Sequence, residues 1–284
     1  MPTIDLPAGP IEYVDTGGDG PVLVFTHGFP MNHLQWRKVV PLLGGVRCIL
    51  PTLPMGAHRT PMKPGTDLTH KGQAAIIADL LEALDLHDVT LVMNDWGGAQ
   101  VIVAIDRTER LGAMVMIACE AFDNFPPPQT TPAQLLLRTP GGPWLLMQLL
   151  RTRFFRHSRQ AWGAVCNSRI PDDVLDEWFT PARQDSAIRR DLKSFALGTP
   201  NRAVLLAYSE SLRTFDRPAL VVWALDDVMM PREHGRRLAE ILPQGRLVEV
   251  ADSGTLIPED QPEELARILL EFVAATTRRP ATEA

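Results

Sequence analysis

Tyrosine is scarce in this 284-residue chain, with two residues, and cysteine hardly commoner, with three. Cys48, Cys119 and Cys166 share no spacing that suits a metal or a redox pair, so reduced, buried thiols are expected. No stretch of about 18 apolar residues occurs, so no membrane-spanning helix is expected. The opening residues, MPTIDLPAGP, have neither the basic start nor the apolar run of a secretory leader, which points to the cytoplasm. Positive charge is in deficit. Its 28 Lys and Arg against 34 Asp and Glu give a net charge of −6, and such a surface repels nucleic acid and anionic membranes. What remains is small-molecule chemistry, with no metal site and no cofactor, by a monomer or a homodimer. The length suits one large α/β unit that buries roughly three quarters of its unfolded surface.

The first half of the chain alternates short apolar runs with amphipathic stretches. Pro21 to Thr26, Val46 to Leu50, Val89 to Met93 and Ala113 to Ala118 each read as a strand buried on both faces. Between the second and third, Asp67 to Leu84 carries Ala74, Ile77, Leu80, Leu81 and Leu84 at helical spacing, with Thr69 as the expected N-cap. A helix from Gly97 to about Arg107 follows the third. Continuous apolar strands separated by helices belong to a mostly parallel sheet covered on both sides. The pattern breaks at a proline-rich stretch (Pro126, Pro127, Pro128, Pro132), and from Phe125 to about Phe215 no strand is expected. Trp144, Trp162 and Trp178 fall in that helical stretch. Strands resume at Ala219 to Trp223 and Arg246 to Val250. A helix from Pro262 to about Thr276 closes the chain, and the last eight residues are expected to be disordered. The expected organisation is a sheet core of residues 1–125 and 216–284, interrupted by a helical cap over 126–215.

One strand-to-helix junction stands out, Met93-Asn94-Asp95-Trp96-Gly97-Gly98. A sharp turn there lifts one side chain above the sheet, and small residues such as Gly97 and Gly98 permit it. Backbone N–H groups near Gly28-Phe29, in His27-Gly28-Phe29-Pro30, are candidate donors to a developing anion. These two segments, together with Trp223 to Pro231, resemble the α/β-hydrolase superfamily, in the branch whose elbow nucleophile is aspartate: haloalkane and haloacetate dehalogenases and epoxide hydrolases. The resemblance spans nearly the whole chain outside the expected cap. It implies the α/β-hydrolase fold, a mostly parallel twisted sheet flanked by helices with an inserted helical cap, and Asp95 as a nucleophile that forms an ester for water to cleave. It also implies that the Trp96 indole donates to a departing halide, with Asn94 or cap tryptophans as further donors. Met93 departs from the pattern, which has a small residue there.

Asp227 falls on the acid of the family's triad, with Asp226 a solvated neighbour; Glu120, at the end of the preceding strand, is the alternative acid or a substrate contact. The base is absent. Where the family reads Ser-Gly-His, this chain reads Ser253-Gly254-Thr255, and a threonine hydroxyl cannot take a proton from water near neutral pH. His58, in a loop that follows a strand end, and His33, nearer the oxyanion segment, are candidate substitutes; His27 orders its own turn, and His70, His87, His157 and His234 are expected to be peripheral. Epoxide hydrolases protonate the ring oxygen with cap tyrosines, and neither Tyr13 nor Tyr208 lies well inside the expected cap. The dehalogenase-like reading is therefore preferred. Epoxide hydrolysis, a lyase or isomerase step and a catalytically impaired binding protein stay open.

Overall fold

The computed structural model describes residues 1–96 and 98–277. Gly97, named above for the elbow, and residues 278–284 of the expected disordered tail lie outside the described residues. Thr277, the eighth residue from the end, is the last residue of a helix.

The N-terminus forms two strands that the sequence reading passed over, β1 (Thr3–Leu6) and β2 (Gly9–Asp15). They pair as an antiparallel hairpin, Leu6 opposite Gly9. Gly9 has φ of +141°, a conformation that favours glycine, and an added Cβ would meet Met62 at 3.1 Å. Then come β3 (Val22–Thr26), β4 (Arg47–Pro51), helix α1 (His70–Ala83), β5 (Val89–Asp95), α2 (Gly98–Ala104) and β6 (Leu111–Cys119). Six helices follow without a strand: α3 (Thr131–Arg138), α4 (Gly142–Leu149), α5 (Arg153–Arg156), α6 (Asp172–Gln184), α7 (Ser186–Leu197) and α8 (Arg202–Ser211). The chain closes with β7 (Ala219–Ala224), α9 (Arg232–Ile241), β8 (Gly245–Val250), the short α10 (Ile257–Asp260) and α11 (Pro262–Thr277). The eight strands make one sheet in the order β1-β2-β4-β3-β5-β6-β7-β8, antiparallel at β1/β2 and β2/β4 and parallel beyond.

Side chains alternate across a strand, so an all-apolar strand feeds both faces. Leu91 and Met93 of β5 enter a core with Ile77, Leu80 and Leu81 of α1 and Val101 and Ile102 of α2. Val92, between them, faces the opposite core, built on Leu265, Leu269 and Phe272 of α11. Each such buried Leu or Ile contributes roughly 1.5–3 kcal/mol. Helix α11 starts at Pro262, whose fixed φ suits a first turn, with Glu263 and Glu264 against the positive end of the helix dipole. Met93 is fully buried, so the departure from the family's small residue is absorbed as core packing. Thr69 does occupy the N-cap of α1, but its hydroxyl makes no capping bond; the Asp67 carboxylate accepts from the Thr69 N–H instead, at 2.9 Å. The helices between β6 and β7 have their own core of Leu175, Trp178, Phe179, Ile188 and Leu192, which also takes in Met31 and Leu256.

Candidate active site

Parallel strands present their C-terminal ends to a common edge, and the functional candidates collect there. β5 ends at Asp95, which has φ of +69°; a non-glycine residue is rarely held in this left-handed region, and at functional sites such strain aims a side chain. The pairing register shifts between Asn94 and Asp95 as the strand leaves the sheet. The elbow needs its small neighbours. A Cβ on Gly28 would lie 2.1 Å from Asp95 Oδ2, and one on Gly98 would lie 2.7 Å from the Trp96 ring. The Phe29 N–H donates to Asp95 Oδ2 at 3.0 Å, so the segment after β3 already grips the carboxylate.

Gly28 is different. Its N–H donates to Gln35 Oε1 at 2.7 Å and is not aimed at an anion, so Gly28 serves by lacking a side chain. Asn94 is corrected likewise. It is completely buried, its Oδ1 accepts from Gln35 Nε2 at 2.7 Å, and its Nδ2 donates to the carbonyls of Ile117 (2.9 Å) and Thr255 (2.7 Å). Its amide therefore has no donor left for a leaving group.

Thr255, in the loop after β8, makes an informative bond: its Oγ donates to Asp227 Oδ1 at 2.8 Å. The same oxygen accepts from the N–H groups of Met229 (2.8 Å) and Met230 (3.1 Å). Asp227 Oδ2 is buried without a partner. Glu120 stands beside the elbow, its N–H donating to the Asp95 carbonyl at 2.9 Å, and its Oε2 is also buried without a partner. Asp226 is exposed.

All three carboxyls resist ionisation. Burial pushes Asp95 up to about 7, helped by the nearby Asp227 charge and opposed by the Phe29 N–H. Burial and the Asp95 charge raise Glu120 well above the usual range. Burial also raises Asp227, against the pull of the Met229 and Met230 N–H groups and the Thr255 hydroxyl. Among the described residues none of the three is in an ion pair.

Trp96 is 1% exposed and its indole N–H has no partner. The indole N–H groups of Trp162 and Trp223 are likewise buried without a partner. Trp178 donates to Asn32 Oδ1 at 3.1 Å, and Trp144 is 51% exposed. Trp162 packs on Phe179, with ring centroids 4.6 Å apart.

The histidines rearrange the sequence ranking. His58 is no stand-in base: its Nδ1 accepts from the Gly56 N–H at 3.2 Å and its Nε2 faces Asp191 of α7 at 3.2 Å. It fastens the loop after β4 to α7. His27 is fully buried and also spent, with Nε2 accepting from the Leu53 N–H at 2.8 Å. His70, expected to be peripheral, is 3% exposed and has both ring nitrogens unpartnered. Its ring centroid lies 4.0 Å from Phe125, 5.3 Å from Phe195 and 5.9 Å from Trp96. Nothing in the sequence around Thr69-His70-Lys71 signals this, because Phe125 and Phe195 come from segments that only the fold brings together.

Among the described residues no three His, Cys, Asp or Glu side chains form a metal-holding cluster, and no helix is long and apolar enough to cross a membrane.

Comparison with known proteins agrees with this architecture. The model of the alpha/beta hydrolase family matches residues 23–268. Haloalkane dehalogenase 2 of Mycobacterium tuberculosis is 26% identical over 274 residues, 94% of this chain and 92% of that protein. A cis-3-alkyl-4-alkyloxetan-2-one decarboxylase of Xanthomonas campestris is 27% identical over 280 residues, 93% of this chain and 92% of its own. The solved haloalkane dehalogenase of Agrobacterium tumefaciens superposes with a TM-score of 0.77 at 22% identity, covering 97% of each chain, a likeness of fold.

Proposed function

The chain belongs to the alpha/beta hydrolase family, and on that premise we propose that it is a dehalogenase-like enzyme whose Asp95 carboxylate attacks the carbon bearing a leaving group in a small organic substrate. An Asp95 oxygen forms a C–O bond as the carbon–halogen bond breaks, and the halide leaves with the bonding pair. The observation that carries this reading is the grip of the Phe29 N–H on Asp95 Oδ2, at the tip of a strained elbow. It aims the second oxygen at a bound substrate. The unpartnered Trp96 indole N–H is the donor for the departing halide, and the helices between β6 and β7 are the cap over the pocket. In this reading residues 126–215 make up that cap, and the described residues of 1–125 and 216–277 the core.

The second half of the reaction is weak. Hydrolysis of the ester needs a base beside it, and the hydroxyl hydrogen-bonded to Asp227 is that of Thr255. The ester therefore persists. The same substitution favours one second reading, in which Asp95 serves a lyase or isomerase step that asks no activation of water; the Xanthomonas relative is a decarboxylase.

Incubation with 1-bromohexane followed by intact-mass measurement tests the nucleophile. The expected result is one stable hexyl adduct per chain, mapped to Asp95 and lost in Asp95→Asn. No adduct across a panel of bromoalkanes, together with no bromide release, would leave the lyase or binding reading standing.

A further inference from the structure

Three aromatic rings enclose His70, and the arrangement has no structural purpose that its nitrogens serve. Burial pulls the imidazole down to about 3, so at neutral pH it is uncharged, with one nitrogen a donor and the other an acceptor. Both are sealed from solvent and unpartnered, although buried polar groups are nearly always hydrogen-bonded. A histidine that only filled space among Phe125, Phe195 and Trp96 would do so better as phenylalanine. The ring also sits at the proposed reaction centre. Trp96 follows Asp95 directly and lies 5.9 Å from His70. Phe29, whose N–H holds Asp95, lies 5.3 Å from Phe195, and Phe195 lies 5.3 Å from His70. Thus His70 neighbours Trp96 directly, and a single ring, that of Phe195, stands between it and Phe29.

The neighbours define what it can hold. Asp95, Glu120 and Asp227 disfavour a second negative charge, and none of them has a cationic partner among the described residues, so a carboxylate-bearing substrate is disfavoured. The walls are phenylalanine and tryptophan. A neutral imidazole in such a box matches a group that donates and accepts at once, and the smallest such group on an organic molecule is a hydroxyl.

We propose that His70 is a substrate-binding residue that holds a neutral hydroxyl group of the molecule attacked by Asp95, so that the site takes small halogenated alcohols in preference to plain haloalkanes. This rests on the reading of Asp95 as nucleophile. A site built to bond a hydroxyl rejects the analogue that lacks it, because its own polar groups then stay unpaired.

The pair 2-bromoethanol and 1-bromopropane, alike in size, tests it. The rate of adduct formation on the protein is divided by the rate of alkylation of free acetate by the same reagent, which removes intrinsic reactivity. The expected preference for 2-bromoethanol is at least about tenfold, falling to near one in His70→Phe and surviving in part in His70→Gln. Equal normalised rates in the unaltered protein, or a preference undiminished in His70→Phe, would overturn the proposal. Should neither reagent alkylate Asp95, the nucleophile reading fails, but His70 is still tested. In the protein with 15N-labelled histidine, with His70→Gln supplying the assignment, the two ring nitrogens are expected to shift saturably on addition of 1-propanol. Unmoved His70 resonances up to the protein's solubility limit for the alcohol would refute it.

Discussion

At the scale of single residues, the behaviour of the site turns on two protonation states. In the proposed reaction Asp95 attacks only when ionised, and burial holds its carboxyl up to about 7. Adduct formation is therefore expected to be slow at pH 5, to rise roughly tenfold per pH unit below the midpoint, and to level off above about pH 8. A rate independent of pH between 5 and 8, measured by intact mass at fixed bromoalkane, would mean that the carboxylate is better hydrated than its surroundings indicate. Thr255 is the complementary case. It already donates to Asp227, the contact that a histidine in its place would use to fix its tautomer. Thr255→His is expected to convert a persistent ester into a turning-over one, raising steady-state bromide release by about 10² or more. Release unchanged in a folded variant would mean that a base at this position cannot reach the ester. That Thr255 and Asp227 meet was legible in the sequence, because Ser253-Gly254 before Thr255 and Pro258 to Pro262 after it match the flanks of the resemblance. That His70 faces Trp96 was not, since helical spacing marks which side of α1 is buried but not which partner waits there.

At the scale of elements, the site depends on how the ends of β3 and β5 approach each other. Gly28, Gln35, Asn94, Thr255 and Asp227 form one hydrogen-bonded chain beneath the elbow, running from the segment after β3 through β5 to the loops after β8 and β7. Gln35 is its hinge, and no motif announced it; its importance comes from contacts across 59 residues of sequence. Removing it by Gln35→Leu leaves buried partners on Gly28 and Asn94 unpaired, and thermal or denaturant unfolding should register a loss of about 2–3 kcal/mol. Gly28→Ala attacks the same place sterically, with a Cβ 2.1 Å from Asp95 Oδ2. Alkylation of Asp95 is expected to slow by about 10² through misplacement of the carboxylate. A Gly28→Ala protein that alkylates normally would show that Asp95 does not need the observed approach. The strands themselves were readable wherever an unbroken apolar run is buried on both faces, as in β5 and β6. The β1–β2 hairpin was not, because Pro2, Pro7 and Pro10 interrupt it and its outer side chains are half exposed.

At the scale of the whole molecule, the buried carboxyls set how stability responds to pH. Below about pH 4 the folded and unfolded chains both keep the Asp95 proton. Between about 4 and 7 the unfolded chain ionises while the fold retains the proton, so this group makes the fold less stable as pH rises, with no further change above. Asp95→Asn removes the effect. It is expected to gain on the order of 2 kcal/mol over the original protein at pH 8 and little at pH 4, a partly open carboxyl giving less than the full shift. An equal difference at both pH values, by chemical denaturation, would contradict the burial of the charge. In the proposed reaction the same carboxyl displaces a leaving group once and then stalls for want of a base. Its most direct test is the stoichiometry of bromide released from excess 1-bromohexane. The expected trace is a burst of one bromide per chain followed by arrest, absent in Asp95→Asn; sustained release at many bromides per chain, or none at all, would contradict the claim.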